Sequence, residues 1–235
     1  MLDPINSLWW GPFSTMEKLC MNSYLRNGHP FLLWYYYERP VGVPAGVQLC
    51  NGEEIMPAPD WTEFVTFAHF ADLFRYSLLY QRGGWWVDMD TVCLRSFEGW
   101  PHIVIPEQED RDGGFAVNNA YLRIPIKSEL AKWLADKSEL LWRAKKDKLE
   151  WDVIGPRLCL QAVAKFSLGY QPYNLYNPIP WWKYSIVLEP DGVIPANAFA
   201  IHLWHAMWKS SSIPVDQTGA PTSIYAKLQR MYLGG

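Results

Sequence analysis

The chain has little that would suit it to an oxidising compartment, a bilayer or a nucleic acid. Its 235 residues include four cysteines, Cys20, Cys50, Cys93 and Cys159, and no Cys-x-x-Cys pair. A chain of this length does not need disulfide staples, so the four read as reduced thiols of a cytosolic protein. The opening MLDPINSLWWG has no basic stretch and no long apolar core, so it does not read as a signal peptide. No run approaches the ~20 apolar residues that span a bilayer. That argues against a spanning anchor and leaves a peripheral visit to the membrane open. Lys and Arg number 21 against 24 Asp and Glu, for a net charge of -3. A nucleic-acid surface would show a basic excess, although a nucleotide held through a cation needs none. Also missing are the Gly-rich loop ending in Gly-Lys-Ser/Thr, His-Glu-x-x-His, Gly-x-Ser-x-Gly and the dinucleotide fingerprint. Their absence argues against a P-loop ATPase, a zinc protease and an α/β-hydrolase.

Aromatic residues are what the chain has in quantity. Fourteen Trp, 13 Tyr and 10 Phe make up 16% of it, within a hydrophobic share of 49% and a charged share of 19%. These proportions specify a sizeable core and exclude disorder. The pairs Trp9–Trp10, Trp85–Trp86 and Trp181–Trp182 point side chains to both sides of a strand or loop. Some of these rings are expected to line a cleft, where flat faces suit nucleobases and sugars.

The pattern alternates strands and helices. INSLWWG reads as a first strand and FLLWYYY, 31–37, as a second, with a short one at 47–49. Between the first two, Ser14 is set as an N-cap with Glu17 three residues on, and Gly28 stops the helix. From Thr66 the apolar residues Phe67, Phe70, Ala71, Phe74 and Leu78 fall at helical spacing until Gly83, and the strand end WWVDMD follows. HIVIPEQED holds another short strand, and GGFAVNNAYLRIP runs extended. Helices are expected over 127–146 and from Gly155–Pro156, strands at 186–188 and 201–204, and an amphipathic stretch over 225–232. This order predicts an α/β fold with a mainly parallel central sheet flanked by helices, in one domain over 1–235. Ligands in such sheets bind beyond the carboxyl ends of the strands.

GGWWVDMD puts two carboxylates, Asp88 and Asp90, at such an end. Like charges so close repel unless a cation lies between them. Carboxylate oxygens suit Mg²⁺ or Mn²⁺, ions that also bind phosphate and stabilise a departing diphosphate. An Asp-x-Asp alone is a weak signal, because surface pairs are common. Upstream, Asp72 and Arg75 share one face of an apolar helix. Exposed, they would be a minor ion pair; enclosed, they carry a desolvation penalty and tend to be kept for a task. Asp72 could accept from sugar hydroxyls, and Arg75 could orient it or reach a phosphate. VNNAYL offers Asn118 and Asn119, for which a simple turn is the bland alternative. IHLWHAMW offers His202 and His205, either an ordinary core histidine or a nitrogen donor that completes an O/N shell.

Taken together, FADLFRYSLLYQRGGWWVDMD resembles the signature region of glycosyltransferase family 32, the DXD-motif sugar transferases. Ala71, Asp72, Arg75, Leu79, Tyr80, Gly83, Gly84, Trp86, Asp88 and Asp90 match its pattern, and the likeness extends more loosely to INSLWWG and HLW. The resemblance implies a GT-A fold and a retaining hexosyl transfer from a UDP- or GDP-sugar, with Mn²⁺ or Mg²⁺. Residues 1–100 would then serve mostly nucleotide-sugar and metal, and about 150–235 mostly the acceptor, including PIPWWKY. By the resemblance, Trp9 lies by the nucleobase, Asp72 and Arg75 by the donor sugar, and Gly84 among the donor-binding residues. Asp88 and Asp90 serve nucleotide and metal, His202 is the third metal ligand, and Asn118 or Asn119 lies near the anomeric centre. The expected partners are the donor and a glycan or lipid-linked glycan, met in the cytoplasm or at the inner face of the membrane. The chain departs from the family at Asn6–Ser7, where a His is often found, and at Trp85–Trp86. A glycoside hydrolase, or a carbohydrate-binding protein without activity, is the rival expectation.

Overall fold

Ser14 opens the first helix as its spacing to Glu17 predicts. Its hydroxyl accepts from Met16 N–H, and the Glu17 carboxylate takes the Ser14 N–H in return at 2.6 Å. The computed structural model containing this helix describes residues 2–60, 66–145 and 148–234. Its strands are β1 (Ile5–Leu8), β2 (Phe31–Tyr35), β3 (Val47–Asn51), β4 (Gly84–Val87), β5 (Thr91–Cys93), β6 (Glu107–Glu109), β7 (Phe115–Val117), β8 (Tyr121–Ile124) and β9 (Ala200–His202). The helices are α1 (Thr15–Arg26), α2 (Phe67–Arg82), α3 (Glu129–Lys145), α4 (Pro156–Phe166), α5 (Tyr173–Tyr176), α6 (His205–Ser210) and α7 (Ile224–Tyr232). Lys146, the last residue of the helix expected over 127–146, lies outside the described residues.

The central sheet has five strands in the order β3-β2-β1-β4-β8. β1 lies parallel to β2 and β4, β2 lies parallel to β3, and β8 runs antiparallel to β4. This is the mixed, mainly parallel α/β architecture that the sequence pattern predicts. Two antiparallel pairs, β5 with β9 and β6 with β7, extend it beyond the carboxyl edge.

Trp85 and Trp86 show how the two faces are filled. Each is 1% exposed, and alternation along β4 sends them to opposite sides. Trp86 joins the core made with α2, α3 and α4, and Trp85 packs with α1 residues and Phe97. These two rings are therefore core and line no cleft. A third cluster joins Met16 and Leu19 of α1 to Val92, Ile201, Trp208 and the inner face of α7.

The strand expected at 186–188 is absent: Trp181–Leu188 forms 3₁₀ turns, broken at Lys183 (φ -109°, ψ 19°). The β-branched Ile186 and Val187 suggest a strand, but Val187 is buried from within a turn, so packing overrides local preference. The strand expected at 201–204 ends at His202, because Trp204 takes a left-handed backbone and α6 follows at once.

Candidate functional site

The site begins with a turn. α2 ends at Gly83, whose φ is +66° and where a Cβ would lie 2.6 Å from the backbone nitrogen of Ile126. Only glycine fits both conditions. The turn sends α2 back along the sheet, so Asp72, near its start, and Arg75, at its middle, reach the edge where Asp88 follows the end of β4.

Arg75 is the hub there. One guanidinium nitrogen lies 2.9 Å from Asp88 Oδ1 and 3.3 Å from Asp72 Oδ1, and the other donates to the Asn119 carbonyl. The guanidinium also stands 4.9 Å from the centre of the Trp86 ring. The Trp86 indole N–H donates to Asp88 Oδ1 at 2.8 Å. The Asn119 amide donates to Asp72 Oδ1 at 2.8 Å. Gly155 closes this cluster from behind: a Cβ there would lie 2.9 Å from Asp72 Oδ2 and 3.2 Å from Asn119 Nδ2. Asp72 and Arg75 are buried, whereas the Asp88 side chain keeps 30% of its surface open. Both Asp88 contacts fall on Oδ1, which leaves Oδ2 to a ligand.

Asp90 belongs to a second couple, built by the β5–β9 ladder, in which Thr91 stands opposite His202. His202 Nε2 lies 3.2 Å from Asp90 Oδ2, across 112 residues of sequence. The backbone N–H of His205 donates to the same oxygen at 2.8 Å. The His202 ring stacks on Trp204, with centroids 3.7 Å apart and planes 25° apart. Trp9, half-buried after β1, lies 6.3 Å from His205, ring to ring.

The carboxylates diverge electrostatically. Burial raises Asp72 to about 6, and Arg75 and the Asn119 amide only partly offset it. Burial also raises Asp88, with Arg75 opposing and Asp90 adding to the rise. For Asp90 burial acts the same way, but His202 and the His205 N–H overcome it and bring the group down to about 2. Asp90 is therefore firmly ionised, and Asp72 is a carboxylate held at a penalty, a separation typical of working sites.

The structure thus brings together Asp72, Arg75, Asp88, Asp90, Asn119 and His202, with Trp9 at the rim. Asn118 turns away: its amide donates to Gln108 in β6 and its carbonyl accepts from Ala120 N–H. Gly84 is not brought to the site. It opens β4, a strand's length from Asp88, and lines a separate cavity of about 550 Å³ with Asn6 and Trp34. Sequence reasoning missed Gly155, Trp204 and the His205 backbone, because each acts through a fold-dependent approach or backbone angle that has no motif.

Asp90 and His202 suit a hard divalent cation. Their facing atoms, 3.2 Å apart, have about the ~3 Å spacing of neighbouring donors on a six-coordinate ion with bonds of 2.0–2.1 Å. Among the described residues no group of three or more His, Cys, Asp or Glu could hold a metal. With two protein donors, such an ion would take the rest of its shell from water and ligand oxygens, as Mg²⁺ usually does.

Residues 49–109 match the family described as a glycosyltransferase sugar-binding region containing a DXD motif. That span includes Asp72, Arg75, Asp88 and Asp90. No curated protein sequence matches the chain. Among solved structures, the PaToxG glycosyltransferase is 16% identical over 70% of this chain and 69% of its own, with a TM-score of 0.51. The apo form of the glycosyltransferase GlyE from Streptococcus pneumoniae TIGR4 is 12% identical over 100% of this chain, with a TM-score of 0.52. A second GlyE structure is 13% identical over 99% of it, with a TM-score of 0.51. The chain spans 64% of the length of both GlyE chains. At these identities the three structures establish a GT-A-like fold.

Proposed function

We propose that this chain, a glycosyltransferase-type enzyme with a family-32-like, DXD-motif domain on a GT-A-like fold, moves a hexose from a UDP- or GDP-sugar to a hydroxyl of a glycan or lipid-linked glycan. The observation that carries the reading is the meeting, at one strand end, of a guanidinium–carboxylate cluster and an imidazole–carboxylate pair. Arg75 holds Asp72 and Asp88, and His202 faces Asp90. A hydrolase needs two carboxylates free to flank a bond. Here one is tied to a guanidinium and the other to an imidazole, an arrangement that favours binding a diphosphate through a cation.

In this reading Asp90 and His202 hold Mn²⁺ or Mg²⁺, which when bound screens the diphosphate and lowers the barrier to its departure. Asp88 presents Oδ2 to the nucleotide side, its orientation fixed by Arg75 and Trp86. Asp72, anchored by the Asn119 amide, accepts from hydroxyls of the donor sugar. Asn119 stands nearest the reacting carbon of the two asparagines, and Trp9 offers its ring to the base. The course is retaining, as the family resemblance implies: the acceptor hydroxyl attacks from the leaving-group face, its proton passing to the departing phosphate.

The acceptor lies towards the C-terminal third. The Trp204 indole N–H donates to the Ile179 carbonyl at 2.8 Å, and Trp181 and Trp182, which follow Ile179, are the rings this reading assigns to the acceptor. Arg111 stands 5.5 Å from the Trp181 ring. Among the described residues no helix is long and apolar enough to cross a membrane. We place the enzyme in the cytoplasm, meeting a lipid-linked acceptor at the membrane surface; no flotation with liposomes at low salt would count against that.

The deciding experiment is binding and slow hydrolysis across a panel of UDP- and GDP-sugars, with Mn²⁺ and then with EDTA, beside Asp90→Ala. Metal-dependent turnover of one donor, lost in the variant, is expected. Turnover that survives EDTA would remove the cation from the scheme. Binding of no donor would leave a sugar-binding relative without the chemistry.

A further inference from the structure

Trp204 has a backbone that a bulky side chain rarely adopts. Its φ of 60° and ψ of 52° lie in the left-handed region. Such a conformation persists only where its surroundings enforce it, and it gathers at functional sites. Here the indole N–H donates to the Ile179 carbonyl at 2.8 Å, and the residue is buried. Its indole lies flat against His202, and the turn that it makes sends the His205 N–H back to Asp90 Oδ2.

His202 needs such a support. A metal-binding imidazole is ordinarily oriented by a hydrogen bond to its second nitrogen. Among the described residues His202 Nδ1 is buried and has no hydrogen-bond partner. The ring is held instead by the Trp204 face and, edge-on at 86°, by Tyr121.

We propose that Trp204 is a positioning residue for the cation pair: its indole face fixes the plane of the His202 ring, and its left-handed turn delivers the His205 N–H to Asp90. One side chain and its own backbone thereby set both protein donors. The inference rests on the reading of Asp90 and His202 as cation ligands, so the test measures the cation directly and apart from turnover.

The experiment is a Mn²⁺ titration of the full chain followed by electron paramagnetic resonance, for wild type, Asp90→Ala, Trp204→Asn and Trp204→Phe. Asparagine tolerates the left-handed backbone, so it keeps the turn and removes the ring. Phenylalanine keeps an aromatic face. Trp204→Asn is expected to bind Mn²⁺ about 10–100-fold more weakly, the usual effect of losing a ligand's support, while Trp204→Phe recovers most of the affinity. Wild-type affinity in Trp204→Asn overturns the proposal, and so does a loss in Trp204→Phe as large as in Trp204→Asn. Should Trp204→Asn fail to fold, Trp204→Leu replaces it, with the same backbone demand and no flat face; affinity equal to Trp204→Phe then overturns the proposal. Failure of the wild type itself to bind Mn²⁺ overturns the cation reading, an outcome distinct from any difference among the Trp204 variants.

Discussion

Asp72→Asn should make the protein more stable and less active. Asp72 is buried, and its carboxyl sits near 6, against an ordinary value of 3.8. Each pH unit of that difference is worth 1.36 kcal/mol, so the ionised form carries a penalty of about 3 kcal/mol in the folded state. The sign follows from proton binding. The folded chain holds the Asp72 proton more tightly than the unfolded chain, so this stability is complete below 3.8 and is lost as pH rises through 6. Asparagine has the shape of the protonated acid, can accept from the Asn119 amide, and carries no charge at any pH. The variant should therefore gain about 1 kcal/mol over wild type at pH 4.5 and about 3 kcal/mol at pH 8. Urea unfolding across that range, read by tryptophan fluorescence, measures the gain. Donor turnover at pH 8 should fall at the same time, because the amide no longer offers a full acceptor to sugar hydroxyls. A variant less stable than wild type at pH 8, or a gain that does not change with pH, would refute the reasoning.

Two further outcomes test the rest of the cluster. Arg75→Met removes the cation that Asp72 and Asp88 share, so urea unfolding at pH 7 should show a loss of about 3–5 kcal/mol. Gly155→Ala pushes a methyl group to 2.9 Å from Asp72 Oδ2; it should cost about 1–3 kcal/mol. Steady-state kinetics of that variant should show a raised donor KM as well as a lower kcat, because the displaced Asp72 is the group assigned to the donor sugar.

The sequence makes the frame of this site legible because its signals are local. The capping box of α1, the helical spacing from Thr66 and the Gly83 stop each report a backbone choice made within a few residues. The Asp72–Arg75 face is legible for the same reason. Between Asn118 and Asn119 no local rule decides, since the outcome depends on a hydrogen bond to Asp72 across 47 residues. Gly84 opens β4, at the end away from Asp88, and a motif match does not record which end of a strand a residue occupies. Trp204 is illegible for a third reason: tryptophan disfavours the left-handed region, so only its packing on His202 and its bond to Ile179 mark the turn.

The three-residue ladder between β5 and β9 has an evolutionary consequence. His202 reaches Asp90 because it stands opposite Thr91, and side chains on a strand alternate in parity. Ala198 is buried and Phe199 is tied to Leu94 and Leu175, so a change of length leaves the side of the strand that His202 occupies untouched only where it falls ahead of Ala198. One residue gained or lost inside the ladder would turn the imidazole to the other side. Length is therefore free to vary ahead of Ala198, while the parity of three paired residues keeps the His202 ring facing Asp90.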